Sequence, residues 1–417
     1  MKNTTFVLTL LLLMSSLWGN AQEKKKPFPI SVKMGGYVHT GFIYDSRQTV
    51  SAREGHVMLY PKNEILDPNG KDLNASNSFN MAVIQSRTWT RITGPEILGG
   101  KSSGLLEAEF MGNGEKDVNG FRVRHAYVKL DWGKTSLLVG QTWSPMFTLE
   151  VLPGQVGTNS GLPFKPFARN PQVRLTHRTD NWKFLAAILT ERDYTSTGPD
   201  GASNKYVRNA ALPIAQGQIH YYAGKHLFGT TAEVKTIKPA LSNSIETENG
   251  TVNYQADNTL TSWAVMGYAK FDFKPFTFKV QSTYGSNLTD VLMLGGYAEK
   301  SVDATTGEAE FTPIEILAGW CDLDYTPGKV GVGVFAGYSQ NLGANDEIAG
   351  SIYSRGKDID ELYRIAPRVN VNLKNLRLQL EGEYTAAAYG VTNSKGKVDN
   401  AQWVGNTRMT LAVYYFF

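Results

Sequence analysis

From about residue 30 onward the chain alternates at two scales. Within short stretches, every second residue is apolar. Between those stretches, connections are by turns very short and very long. The stretch SVKMGGYVHTGFIYD shows the first scale: Val32, Met34, Val38, Phe42 and Tyr44 share one parity, and Lys33, His39 and Asp45 share the other. A period of two indicates a half-buried strand rather than a helix. The same pattern predicts further strands near 79–93, 104–112, 120–132, 135–143, 171–179, 182–191, 214–224, 226–235, 260–273, 276–287, 312–325, 329–341, 361–373, 376–390 and 403–417. Tight turns such as Gly133-Lys134, Asp180-Asn181, Lys274-Pro275, Thr326-Pro327-Gly328 and Lys374-Asn375 alternate with long polar connections near 46–78, 144–170, 192–213, 236–259, 288–311, 342–360 and 391–402. Short turns on one side and long loops on the other are the mark of an outer-membrane barrel. A soluble sandwich has no reason to sort its loops by side. The expected fold is therefore all-β: a transmembrane antiparallel β-barrel of about 16 strands, both termini at its short-turn end.

The address agrees. MKNTTFVLTLLLLMSSLWGNAQ joins a basic start at Lys2, an apolar run from Phe6 to Trp18 and a small-x-small site at Gly19-Asn20-Ala21. This predicts a secretory signal peptide over 1–21, a short periplasmic linker over 22–29 and the barrel over 30–417. No later apolar run approaches the ~18 residues of a transmembrane helix, and the mean hydropathy is −0.28. A barrel wall that alternates lipid-facing and lumen-facing residues has an unremarkable average. The one cysteine, Cys321, allows no internal disulfide, and its apolar strand makes it a packed residue. The formal charge of +4, or +3 without Lys2, is too small to suggest nucleic acid as a partner. The last strand, RMTLAVYYFF, carries an apolar face ending in Phe417. Trp132, Trp182, Phe273, Phe276, Tyr325, Phe416 and Phe417 near the short turns, with Trp143 and Trp403 at the opposite ends, outline two aromatic girdles.

If the apolar parity meets lipid, the other meets water. Val173 and Leu175 outward turn Arg174 and Arg178 inward; Ile365, Val369 and Val371 outward turn Arg364 and Arg368 inward. The same parity puts Arg87 and Arg91 in the lumen, with Arg377, Arg408 and Lys279. Arg122 and Arg124 alternate with Phe121 and Val123 until His125 and Tyr127 break the rhythm, which suggests a β-bulge. Glu107, Glu109, Glu381 and Glu383 share the inward parity, so structural ion pairs compete with a free basic surface as the role of any one arginine. An arginine facing lipid at mid-bilayer costs ~2–4 kcal/mol, so the inward placement holds for the group. The connection 144–170, with Pro145, Pro153, Pro163 and Pro166, is the third long-side loop and is expected to fold into the bore. It adds Lys165 and Arg169 against one acid, Glu150. The candidate constriction is thus Arg87, Arg91, Arg122, Arg124, Lys165, Arg169, Arg174, Arg178, Arg364, Arg368 and Arg408. Such a lining attracts anions and repels cations.

QSRTWTRI (85–92), GLLEAEFMGNGE (104–115), FRVRHAYVKL (121–130) and LLVGQTWSPMF (137–147) resemble the core of the DcaP-like porins, a dicarboxylate-channel family, in content and order. The resemblance is strong over about 80–150. It implies a trimeric sixteen-stranded barrel of a Gram-negative outer membrane, an inward third loop and a basic constriction to which Arg87, Arg122 and Arg124 correspond. Some members carry a helical N-terminal segment, whereas only Glu23–Pro29 stands before the first strand here.

The function expected is a diffusion channel for small hydrophilic solutes, anion-preferring, with dicarboxylates or similar organic acids as permeants. A phosphate- or pyrophosphate-selective porin and a closed, partner-binding barrel are the alternatives. Outer-membrane lipid and a homotrimer are the expected partners. No catalytic constellation surrounds the six histidines, and no nucleotide, zinc or calcium motif occurs, so neither an enzyme nor a cofactor is expected.

Overall fold

The computed structural model describes residues 30–157, 159–248 and 250–417; the expected leader (1–21) and linker (22–29) lie outside them. Sixteen strands form the wall: β1 Ser31–Asp45, β2 Ser78–Ala82 resuming as Arg87–Ile97, β3 Gly100–Glu109, β4 Arg122–Asp131, β5 Thr135–Trp143, β6 Arg169–Arg178, β7 Trp182–Leu189, β8 Ile214–Ala223, β9 His226–Ile237, β10 Leu260–Phe273, β11 Phe276–Ser286, β12 Ala309–Tyr325, β13 Val330–Ala344, β14 Ile359–Leu373, β15 Leu376–Thr392 and β16 Val398–Phe416. Each pairs antiparallel with the next. β16 returns to β1 in the register Tyr37↔Phe416 to Asp45↔Arg408, closing the ring. Closure leaves no unpaired edge, the condition for strands to cross a bilayer.

Alternation does what the sequence predicts. Along β7, Lys183, Leu185, Ala187 and Leu189 are buried, while Trp182, Phe184, Ala186 and Ile188 face outward. Trp132, Trp182, Phe273, Phe276, Tyr325 and Phe417 are exposed at the short-turn end, and Trp403 is exposed on the outer face. Two expected girdle residues turn inward instead. Trp143 ends β5 where the chain bends into the bore, and it stacks on Phe147 with ring centroids 3.8 Å apart. Phe416 holds the lumen parity beside Tyr37 and Tyr414. The bulge in β4 is present: Glu107 faces His125 and Ala108 faces Val123, leaving Arg124 as the extra residue.

Three long-side segments enter the lumen. L3 (144–168) does so as expected. L1 (46–77) and L6 (287–308) were expected to be long polar loops outside, yet parts of both turn in. The L1 strand Val57–Pro61 is wholly buried, as are Leu288 and Val291–Leu294 of L6. Val57, Leu59 and Tyr60 of L1, Phe147, Leu162, Phe164 and Phe167 of L3, and these L6 residues share one core with wall residues Met266, Trp320, Phe335 and Leu362. The polar flanks of L1 and L6 mask short apolar runs, VMLYP and VLML, that pack against each other, L3 and the wall. Phe164, fully buried near Phe335, contributes ~1.5–3 kcal/mol by leaving water.

Val265 lies outward midway along β10. Val265→Arg is expected to destabilise the barrel by ~2–4 kcal/mol, read by equilibrium unfolding in lipid vesicles.

Candidate functional site

The inward arginines do not form a ring of free cations. They are distributed over paired groups, and the pairing begins at β3. Glu109, fully buried, accepts from Arg122 Nη2 at 2.6 Å and Nε at 3.1 Å, from Arg124 Nη1 at 2.6 Å and from Arg87 Nη2 at 3.2 Å. Arg169 Nη1 lies 3.7 Å from the same carboxylate. Glu107 takes a second contact from Arg124 at 2.7 Å. Asp193, from the loop after β7, bridges Arg122 at 3.1 Å and Arg169 at 2.7 Å. Four arginines thus meet three carboxylates. The β4 bulge makes this possible, since it turns both Arg124 and His125 inward beside Arg122. Arg169 also lies over the Trp143 ring, 4.7 Å from its centroid. Asp193 had no pattern to announce it, being a loop residue outside the strand alternation.

Across the bore, the charges of β12, β14 and β15 hold L3. Arg368 pairs with Asp322 at 2.6 Å and with Asp324, and Lys279 reaches Asp324 at 3.1 Å. Asp322 in turn accepts the Gly154 N–H at 2.7 Å. Glu381 accepts the Val156 N–H at 3.1 Å, and Glu383 accepts from the Asn159 amide at 3.1 Å. Arg364, fully buried, pairs with Glu383 at 3.2 Å and donates to the carbonyls of Leu162 in L3 and Leu59 in L1. Arg408 forms a forked pair with Asp45 at 2.7 and 2.8 Å. These arginines are structural ties with little open surface.

Lys165 differs. Its ammonium is buried with no hydrogen-bond partner among the described residues and sits 4.0 Å from the Phe147 ring centroid. Burial, then repulsion from Lys279, brings its pKa down to about 7.

The water-facing cations lie between L3 and the short turns. A cavity of about 680 Å³ there is roofed by Leu152, Gly154, Gln155 and Gly157 of L3 and carries Arg87, Lys270, Lys279 and Arg377 against one acid, Asp324. Arg91, Arg174 and Arg178 also face this half of the lumen. Among the described residues, Arg91, Arg174, Arg178, Lys270 and Arg377 have no carboxylate within the 4.0 Å of an ion pair. Lys270 and Arg377 were absent from the expected constriction, although parity alone places both inward. No group of three or more His, Cys, Asp or Glu among the described residues could hold a metal ion.

The sequence model of the DcaP outer membrane protein family matches residues 53–210, the segment that holds the Glu109 group and L3. Over this segment the chain is similar to the DcaP outer membrane proteins. The outer membrane channel DcaP of Acinetobacter baumannii has the same fold, with a TM-score of 0.66 at 17% identity over 93% of this chain and 97% of that one. OmpT of Vibrio cholerae aligns with a TM-score of 0.56 at 12% identity over 95% and 100%. The trimer form of OmpT gives 0.55 at 13% identity over 93% and 99%. No curated protein matches the chain in sequence. In an outer-membrane barrel of this architecture the long loops are extracellular and the short turns periplasmic.

Glu109→Gln should destabilise the barrel by ~3–5 kcal/mol, since it leaves buried guanidinium groups short of a counter-charge; the thermal unfolding midpoint of the detergent-solubilised protein measures this. Lys165→Met should be the more stable form at pH 6. Its advantage should shrink as pH rises from about 7 to about 10, because the native lysine resists a proton that the unfolded chain keeps over that window. Unfolding midpoints of both proteins across that range test the sign.

Proposed function

We propose that this protein is an outer-membrane diffusion channel for small hydrophilic solutes and that it prefers anions. The observation that carries the reading is the placement of uncompensated charge: Arg174, Arg178, Lys270 and Arg377, with Arg91 on the same strand face as Arg87, line the periplasmic half of the lumen without carboxylate partners among the described residues. Fixed cations on low-dielectric walls raise the local anion concentration and repel cations. Small organic acids, dicarboxylates among them, suit guanidinium groups that can bind a carboxylate through two parallel hydrogen bonds. The likeness of the fold to the outer membrane channel DcaP of A. baumannii supports the same reading.

In this proposal the eleven candidate positions divide by role. Arg122, Arg124, Arg169, Arg364, Arg368 and Arg408 hold the loops and wall in shape, and Lys165 lies buried in L3 beside the Phe147 ring. Arg87, Arg91, Arg174 and Arg178, joined by Lys270 and Arg377, act on the solute. Residues 1–21 act as the cleaved export signal and 22–29 as a periplasmic linker ahead of the barrel. The functional unit is a homotrimer embedded in outer-membrane lipid, in line with the trimer form of OmpT.

Currents across planar bilayers under a salt gradient test the reading. The wild-type protein should give a reversal potential of anion-selective sign, and the triple variant Arg91→Gln, Lys270→Gln, Arg377→Gln should move it toward zero. A cation-selective or unchanged potential removes the assignment of selectivity to these residues.

A further inference from the structure

On the β4–β7 side of the lumen, two cavities of about 160 and 310 Å³ share Arg174, Thr176 and Arg178. The smaller lies directly under L3 and adds Lys183 and Glu150; the larger runs toward the periplasmic turns and adds Lys129, Lys134 and Asp131, the last ion-paired with Lys129 at 2.6 Å. Arg174 is oriented by neutral acceptors alone. Its Nε donates to Gln172 Oε1 at 2.9 Å, and its Nη2 donates to the Trp143 carbonyl. Both bonds fix the guanidinium without neutralising it. Two residues along, Arg178 holds the same inward parity and likewise lacks a carboxylate partner among the described residues.

The one acid of the smaller cavity does not belong to the wall. Glu150 sits in the short 3₁₀ turn Leu149–Val151 of L3, and its carboxylate is ion-paired with Lys183 on β7, 3.8 Å from His220 Nδ1 on β8. Burial works against the charge of Glu150, but the Lys183 ammonium outweighs it and holds the carboxyl below its ordinary range. Its side chain remains one-third exposed, at 35%. A carboxylate from a loop therefore occupies a wall pocket whose other charged side chains are Arg174, Arg178 and Lys183.

We propose that Arg174, Arg178 and Lys183 form a binding subsite for small oxyanions, and that Glu150 is a tethered carboxylate that an incoming anion displaces. The proposal rests on the anion-preferring reading above and adds a place and a consequence. Two anions in so small a space repel each other, so solute and Glu150 compete for the same cations. Displacement removes the tie between Leu149–Val151 and the β7–β8 wall. Binding is thereby coupled to the position of the loop that narrows the bore, and the ligand shifts L3 only by its differential affinity for the released state.

Calorimetric titration of the detergent-purified full-length protein with succinate, and separately with inorganic phosphate, tests the site without requiring conduction. Glu150→Gln should tighten binding several-fold, since the competitor loses its charge while the shape is kept. The double variant Arg174→Gln, Arg178→Gln should weaken binding about tenfold or more, because charge-assisted hydrogen bonds carry it. Unchanged heat-modifiable migration on gels confirms that each variant folds. Absence of wild-type binding to both probes, or an unaltered affinity in the double variant, overturns the subsite. Equal affinity in wild type and Glu150→Gln overturns the displacement. Binding of one probe but not the other supports the subsite and identifies which anion chemistry it takes. Binding that behaves as expected in a protein that passes no current would instead overturn the channel reading and leave the subsite standing.

Discussion

A peptide backbone that enters the lumen of a barrel must find partners there, and this requirement governs the rest of the structure. L3 brings its amides and carbonyls away from bulk water and away from any ladder of its own. The opposite wall answers with acidic and basic side chains: Asp322 for Gly154, Glu381 for Val156 and Arg364 for Leu162. Left unpaired, such buried groups would each be costly, and so would the charges that meet them. Loop and wall are therefore mutually dependent. The carboxylates need the loop amides and the arginines, and the arginines need the carboxylates and the loop carbonyls. An apolar core shared by L1, L3 and L6 then fills the space between these polar ties.

The same requirement separates two kinds of arginine that look alike in sequence. Arg364 and Arg368 are consumed by Glu383, Asp322, Asp324 and loop backbone, while Arg174 and Arg178 on the opposite wall keep their charge in the open lumen. Buried pairs of this sort contribute more to a defined geometry than to net stability. In the proposed channel, size is set by the loops and their ties. Sign is set by the cations that the ties leave over, which lie nearer the periplasm than the narrowed level itself.

Much of this was legible before any coordinates. Lipid on one side and water on the other impose a period of two, so sixteen strands, their inward arginines and the β4 bulge can be read from Val32 to Phe417. L3 declared itself by length and prolines. What could not be read is who meets whom across the bore. Leu162 and Arg364 are separated by 202 positions, and nothing local in either marks the other. The burial of VMLYP and VLML was hidden because each is a short apolar run within polar surroundings, too brief for a periodic signal. Trp143 and Phe416 were misplaced for a related reason: proximity to a strand end does not decide which face a ring takes.

The β4 bulge has a bearing on how such a lumen can vary. A strand with two faces normally punishes a change in length, since adding one residue turns everything after it inside out. Here the additional residue is absorbed where it stands. Arg122 points in, Val123 out, Arg124 and His125 both in, and the alternation then resumes with Val128 on the lipid side. One inserted codon can therefore place a new cation in the lumen while every other side chain of the strand keeps its face. In a wall of this kind, a single insertion as well as a substitution can change the charge presented to the lumen.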